Sequence, residues 1–115
     1  MKRNTRRISW IKAARKDFED FPEGARSDLW DALTLAAEGR KAGIAKPMKG
    51  MGSGVFEITL QFRSEAYRVV YAVQIDVDIW VIHAFQKKSK TGIKTPQTKI
   101  ALIRERLKRL KEVLK

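Results

Sequence analysis

The feature that most constrains this chain is the run VFEITLQF, in which Phe56, Ile58, Leu60 and Phe62 alternate with Glu57, Thr59 and Gln61. A two-residue period puts every apolar side chain on one side of an extended backbone, so the run predicts a strand buried on one face. AYRVVYAVQI and DIWVIHAF follow, each rich in β-branched and aromatic residues and each set off by a short polar turn, at Arg63 to Glu65 and around Asp76. Connections this short join antiparallel neighbours, because a parallel pair needs a long crossover. The expected centre of the fold is therefore an antiparallel β-meander.

The flanking segments carry helical spacing instead. Ile11, Ala14, Phe18 and Phe21 recur every three or four residues and predict a helix that starts near Ser9 and stops at Pro22. Leu29, Leu33 and Ala36 form the stripe of a second helix, opening on Pro22 and Glu23 and ending before Gly39. Together they read as an N-terminal helical hairpin. The segment from Arg40 to Gly54, with Gly43, Pro47, Gly50, Gly52 and Gly54, reads as loop. From Pro96 to Lys115, Ile100, Ile103, Leu107, Leu110 and Leu114 mark a third helical face among many Lys and Arg, for which a solvated surface is a sufficient explanation. The expected class is α+β: helical hairpin, meander sheet, C-terminal basic helix. With 115 residues, no repeat and no linker, residues 1–115 read as a single domain.

Charge narrows the partners. Twenty-five Lys and Arg against thirteen Asp and Glu give a formal net charge of +12, which calls for a polyanionic partner. The longest apolar runs, VVYAV and IWVI, are far too short to cross a bilayer. The basic start MKRNTRRISW leads into no apolar stretch with a cleavage site, so the expectation is a cytoplasmic protein with no membrane partner. The absence of cysteine excludes disulfides, thiolate metal sites and a cysteine nucleophile. His83 is the one histidine and has no second ligand at helical or hairpin spacing, so neither a metal nor another cofactor is expected.

If helices cover the apolar face of VFEITLQF, the face of Glu57, Thr59 and Gln61 stays open. Arg68 alternates with the more apolar set Tyr67, Val69, Tyr71 and Val73, so it is expected to point outward with Glu57. In the last strand His83 and Lys87 share a parity, but both parities are apolar and periodicity leaves the strand unoriented. Should His83 and Lys87 join Arg68, the face gathers cations and a nitrogen base. Attack of a ribose 2′-hydroxyl on its own phosphate needs a proton acceptor, a proton donor and cations that stabilise the added charge. Arginine grips phosphate bidentately, and crowding by other cations lowers a lysine toward the range where it exchanges protons. Exposed at this level, Arg68 and Lys87 are each expected to be replaceable within about 0.5 kcal/mol of stability. Plainer readings stand beside these: a hydrogen-bonded structural His83, an Arg68–Glu57 ion pair across the sheet, a solvated KKSK turn, and a flexible GMGSG turn.

YRVVYAV, VIHAFQKKSKTGIKTP and IALIRERLKRL resemble the RelE/ParE toxin superfamily, in particular its phage-derived HigB-like branch. SWIKAARKDFEDFPEGAR and KPMKGMGSGVFEI are similar to the same branch in the front half, so the resemblance spans nearly the whole chain. It implies a twisted antiparallel sheet with flanking helices that binds the ribosomal decoding site and cuts messenger RNA there without a metal. Such a protein is the toxin of a type II toxin–antitoxin system. A cognate antitoxin of helix-turn-helix type restrains it and carries any contact with operator DNA.

The resemblance makes Arg68 a phosphate-gripping catalytic residue and Lys87 the basic position after the last strand, with His83, Lys88 and Lys90 nearby. Lys46, Lys49, Arg63, Lys88 and Lys90 become the expected RNA-binding residues. Some ribonuclease members carry lysines on the strand before YRVVY, where this chain has Glu57, Thr59 and Gln61; the general base then falls to Glu57 or His83. HAFQKKSK and TP occur equally in ParE-like inhibitors of DNA gyrase, and composition alone fits a non-catalytic basic nucleic-acid-binding module. RNA fragments at codon boundaries, gyrase-linked DNA breaks, or no effect on growth separate the three.

Overall fold

The computed structural model describes residues 5–87 and 95–114. Its elements run β1 (Ile8–Trp10), α1 (Lys12–Glu19), α2 (Glu23–Ala37), β2 (Ala45–Pro47), β3 (Val55–Phe62), β4 (Glu65–Ala72), β5 (Ile79–Lys87) and α3 (Gln97–Val113). The meander forms as β3, β4 and β5, inside a mixed sheet of order β1-β5-β4-β3-β2. Arg63 and Ser64 turn the β3–β4 hairpin with φ of +51° and +71°. Both lie in the left-handed region, which suits a two-residue hairpin turn to the strand twist although neither residue is glycine.

Two short strands depart from the sequence reading. β2, inside the segment read as loop, pairs antiparallel with β3, and β1 pairs parallel with β5 through Ile8↔Ile79 and Trp10↔Val81. Three residues are too few to show a period, and what holds them extended is a distant partner. The helix expected near Ser9 is displaced accordingly and starts at Lys12. Ser9 is a strand residue whose hydroxyl donates to the Asp78 carboxylate at 2.7 Å. Just before it, the Arg6 guanidinium donates to the carbonyls of Val73, Asp76, Val77 and Asp78, which fastens the β4–β5 connection.

Both faces of the sheet are packed. On one, Ala14, Phe18 and Phe21 with Leu29 and Leu33 of α2 meet Ile58, Tyr67, Val69, Tyr71, Val81 and Ala84. On the other, Ile103 and Leu107 of α3 meet Val70, Ala72 and Ile82, with Met48 and Met51 from the glycine-rich loop beside them. The face expected to stay open is therefore half roofed. The basic helix has an apolar stripe to bury, and the even-numbered residues of β4 provide the surface.

A β-bulge explains why β5 is apolar on both parities. Val70 pairs with His83 and Tyr71 with Val81, which skips Ile82. The parity of β5 switches there, so Ile82 and His83 both lie on the α3 side. The skipped residue is the one that α3 clamps.

Ile103 is fully buried in that contact. Ile103→Ala is expected to destabilise the fold by about 3 kcal/mol, as removal of a buried aliphatic side chain does. Urea unfolding checks the loss, which falls on the interface that seats α3 over the sheet.

Candidate functional site

Strand register places Lys46, Glu57, Arg68, His83 and Lys87 on one face. Lys46, Glu57, Val70 and His83 make one row across the sheet, Thr59, Arg68 and Phe85 the next, and Gln61, Ala66 and Lys87 a third. Arg68 and Lys87 thus lie on the same side, and α3 divides the row that holds Glu57 and His83.

Arg68 is 5% exposed, not open to solvent as its alternation led one to expect. Its Nη1 donates to Glu57 Oε1 at 3.0 Å and to Thr95 Oγ1 at 3.3 Å. The Thr95 hydroxyl in turn donates to Glu57 Oε2 at 2.5 Å. Parity gave the side on which Arg68 lies but not what covers it, and the cover is a carboxylate plus the threonine just ahead of α3. Sequence reasoning did not select Thr95; its signal was the TP pair that precedes the basic helix.

Glu57 and Arg68 of this cluster line a cavity of about 440 Å³ together with Gly43, Ile44, Lys46, Thr59 and Gln61. Lys46 and Lys49 are exposed, and Lys87 is half-buried at the end of β5. Arg63 is not brought to the cavity. It sits at the tip of the β3–β4 hairpin with its guanidinium 5.2 Å from the Phe62 ring centre, and that ring packs on Gly24 of α2, on the opposite face. Lys88 and Lys90 lie outside the described residues.

His83 is 3% exposed and belongs to a different environment. Arg106 of α3 places Nη1 3.1 Å from His83 Nδ1 and donates from the same nitrogen to the Ile82 carbonyl at 3.0 Å. A guanidinium has only donors, so Nδ1 is the acceptor and the ring proton sits on Nε2. Burial pushes the imidazole pKa from 6.5 down to about 4, with the charges of Arg106 and Lys99 adding to the effect. The basic nitrogen is occupied and the ring is neutral at physiological pH. His83 is therefore poorly placed to take a proton from a substrate, and of the two candidate bases Glu57 is the one that reaches the cavity.

Two outcomes follow from these burials. Arg68→Ala leaves Glu57, itself 16% exposed, without its cation, so the expected cost rises from negligible to about 2–3 kcal/mol. A double-mutant cycle with Glu57→Gln in urea should return part of that loss. For His83, the folded pKa near 4 lies below the unfolded value of 6.5, so the unfolded chain takes up the proton first. Its contribution is complete above pH 6.5 and declines as pH falls toward 4, by up to about 1.4 kcal/mol per pH unit. Unfolding measured at pH 7 and pH 5 should show a smaller difference in His83→Phe than in the parent protein.

Residues 16–108 match the family model described as phage-derived protein Gp49-like. Among solved structures, an arginine-to-alanine double mutant of the E. coli RelE toxin in the free state is 23% identical, with a TM-score of 0.62 over 91% of this chain and 97% of that one. The isolated E. coli RelE toxin is 21% identical, with a TM-score of 0.58 over 87% and 98% of the two chains. The RelBE2 toxin–antitoxin complex from Mycobacterium tuberculosis contributes a chain 13% identical, with a TM-score of 0.54 over 76% of this chain and 98% of that one. No curated protein matches the sequence. The solved structures share the arrangement of sheet and helices described above, and with most of its length inside the family match, the chain belongs to the phage-derived Gp49-like family and carries the RelE fold.

Proposed function

We propose that this protein is the toxin of a type II toxin–antitoxin pair, of the HigB-like branch, and a metal-independent endoribonuclease that cuts messenger RNA at the ribosome in the cytoplasm. Residues 1–115 act as one toxin domain. The observation that carries the reading is the Glu57–Arg68–Thr95 cluster, a carboxylate and a guanidinium that line a cavity and a hydroxyl that holds them, in a chain of net charge +12. That set supplies what 2′-hydroxyl attack requires.

Glu57 accepts the 2′-hydroxyl proton as the 2′-oxygen bonds to phosphorus. Arg68 holds the non-bridging phosphate oxygens. Lys87, on the same face, gives a proton to the 5′-oxygen as its bond to phosphorus breaks. The ion pair couples these events: when Glu57 takes the proton it loses the charge that engages Arg68, and the guanidinium turns to the phosphate as that group gains charge. Lys46 and Lys49, with Lys88 and Lys90, draw in the RNA backbone.

Similarity to a chain from a toxin–antitoxin complex supports a cognate antitoxin as the restraining partner. It is of helix-turn-helix type, and operator DNA is reached through it alone. Primer extension on a messenger translated with and without the protein tests the reading. New breaks in the messenger are expected, and Glu57→Gln, Arg68→Ala and Lys87→Ala, each checked for folding, should reduce them by about 100-fold or more. An intact messenger accompanied by gyrase-linked DNA breaks would overturn it.

A further inference from the structure

We infer that the cavity between the end of α1, the outer edge of β5 and the start of α3 binds a guanine base of the RNA beside the cut. This rests on the ribonuclease reading for its substrate, though the cavity stands on its own geometry. It measures about 300 Å³, and Asp17, Asp20, His83, Phe85, Gln86 and Lys99 are among its lining residues. That volume is at the small end of ligand sites, which run from roughly 300 to 1,000 Å³.

The first observation is His83. With Nδ1 taken by Arg106, Nε2 carries the hydrogen, and that atom is buried with no hydrogen-bond partner among the described residues. An unmet buried donor costs about 1–3 kcal/mol, so a lining residue of this kind asks for an acceptor beyond the described residues. The second is the contrast between the walls. Asp17 and Asp20 offer only acceptors; neither is within ion-pair distance of a cation among the described residues, although Asp17 feels the charge of Arg106. His83 of β5 and Lys99 of α3 offer only donors, and Lys99 Nζ lies 5.3 Å from the centre of the Phe85 ring. The third is position. Phe85 is the cross-strand partner of Arg68, so the cavity begins one strand from the phosphate-holding arginine, a step of about 5 Å.

Among the RNA bases, guanine matches a cavity lined by acceptors at the end of α1 and by donors on β5 and α3. Its ring imino N–H and exocyclic amino group sit side by side and suit a carboxylate. Its carbonyl oxygen and neighbouring ring nitrogen both accept, which suits the His83 N–H and the Lys99 ammonium. Adenine and uracil would each turn a lone pair toward the carboxylates, and cytosine offers them a single amino group.

His83 is the one histidine, so its ring signals in an NMR spectrum are unambiguous. Titration of the intact protein with guanosine 5′-monophosphate is expected to shift them, whereas the adenosine, cytidine and uridine monophosphates leave them in place. Asp17→Ala combined with Asp20→Ala should weaken the guanosine effect about tenfold or more. No response to guanosine monophosphate, or an equal response to all four nucleotides, overturns the assignment. If the double variant does not fold, the titration of the parent protein decides alone. A selective guanosine shift in a protein that leaves translated messenger uncut upholds the base site and overturns the ribonuclease reading; cleavage at sites indifferent to guanine, with no shift, does the reverse.

Discussion

The second face of the sheet is organised by one skipped position in β5. Because the pairing steps from Val70↔His83 to Tyr71↔Val81, Ile82 turns toward α3 and its carbonyl leaves the β4 ladder. The side chain packs with Ile103 and Leu107, and the carbonyl receives Arg106. Without that step the helix would lose its central apolar contact and its polar anchor together. Arg106 would also have no reason to stand beside His83, and Thr95 would not be carried to Glu57.

The Arg68–Glu57 pair is a poor device for stability, since removing two charges from water costs about as much as their attraction returns. Its value lies in holding a guanidinium and a carboxylate at fixed positions at the edge of a cavity. Thr95 satisfies the second carboxylate oxygen, so the pair is constrained from both ends. A surface arginine in the same strand would be free to adopt many rotamers and would lose that order on binding phosphate. Under the proposed function, burial here is preorganisation, with the fold supplying the energy elsewhere.

Much of this architecture is visible in the residues. VFEITLQF declares its strand because one face is apolar and the other polar, and the stripes of α1, α2 and α3 declare helices for the same reason. β1 and β2 are invisible because three residues carry no period and their conformation is imposed by partners far along the chain. The orientation of β5 is invisible because helices cover both its faces and the bulge inverts its alternation midway. Arg68 shows a related limit of pattern: alternation assigns a side, but whether that side meets water or a carboxylate depends on where α3 begins. His83 looked like a base by residue type, and only the contact with Arg106 shows that its free valence is a donor.

The parallel pairing of β1 with β5 ties the earliest strand to one that begins about seventy residues later. During synthesis Ile8 to Trp10 therefore wait unpaired while the helices and the meander emerge, and contacts of such separation slow closure of the fold. Thr95 and Arg106 emerge later still. The cluster around Arg68 and the contact of Arg106 with His83 therefore come together only once α3 has joined the sheet, after every strand has been made.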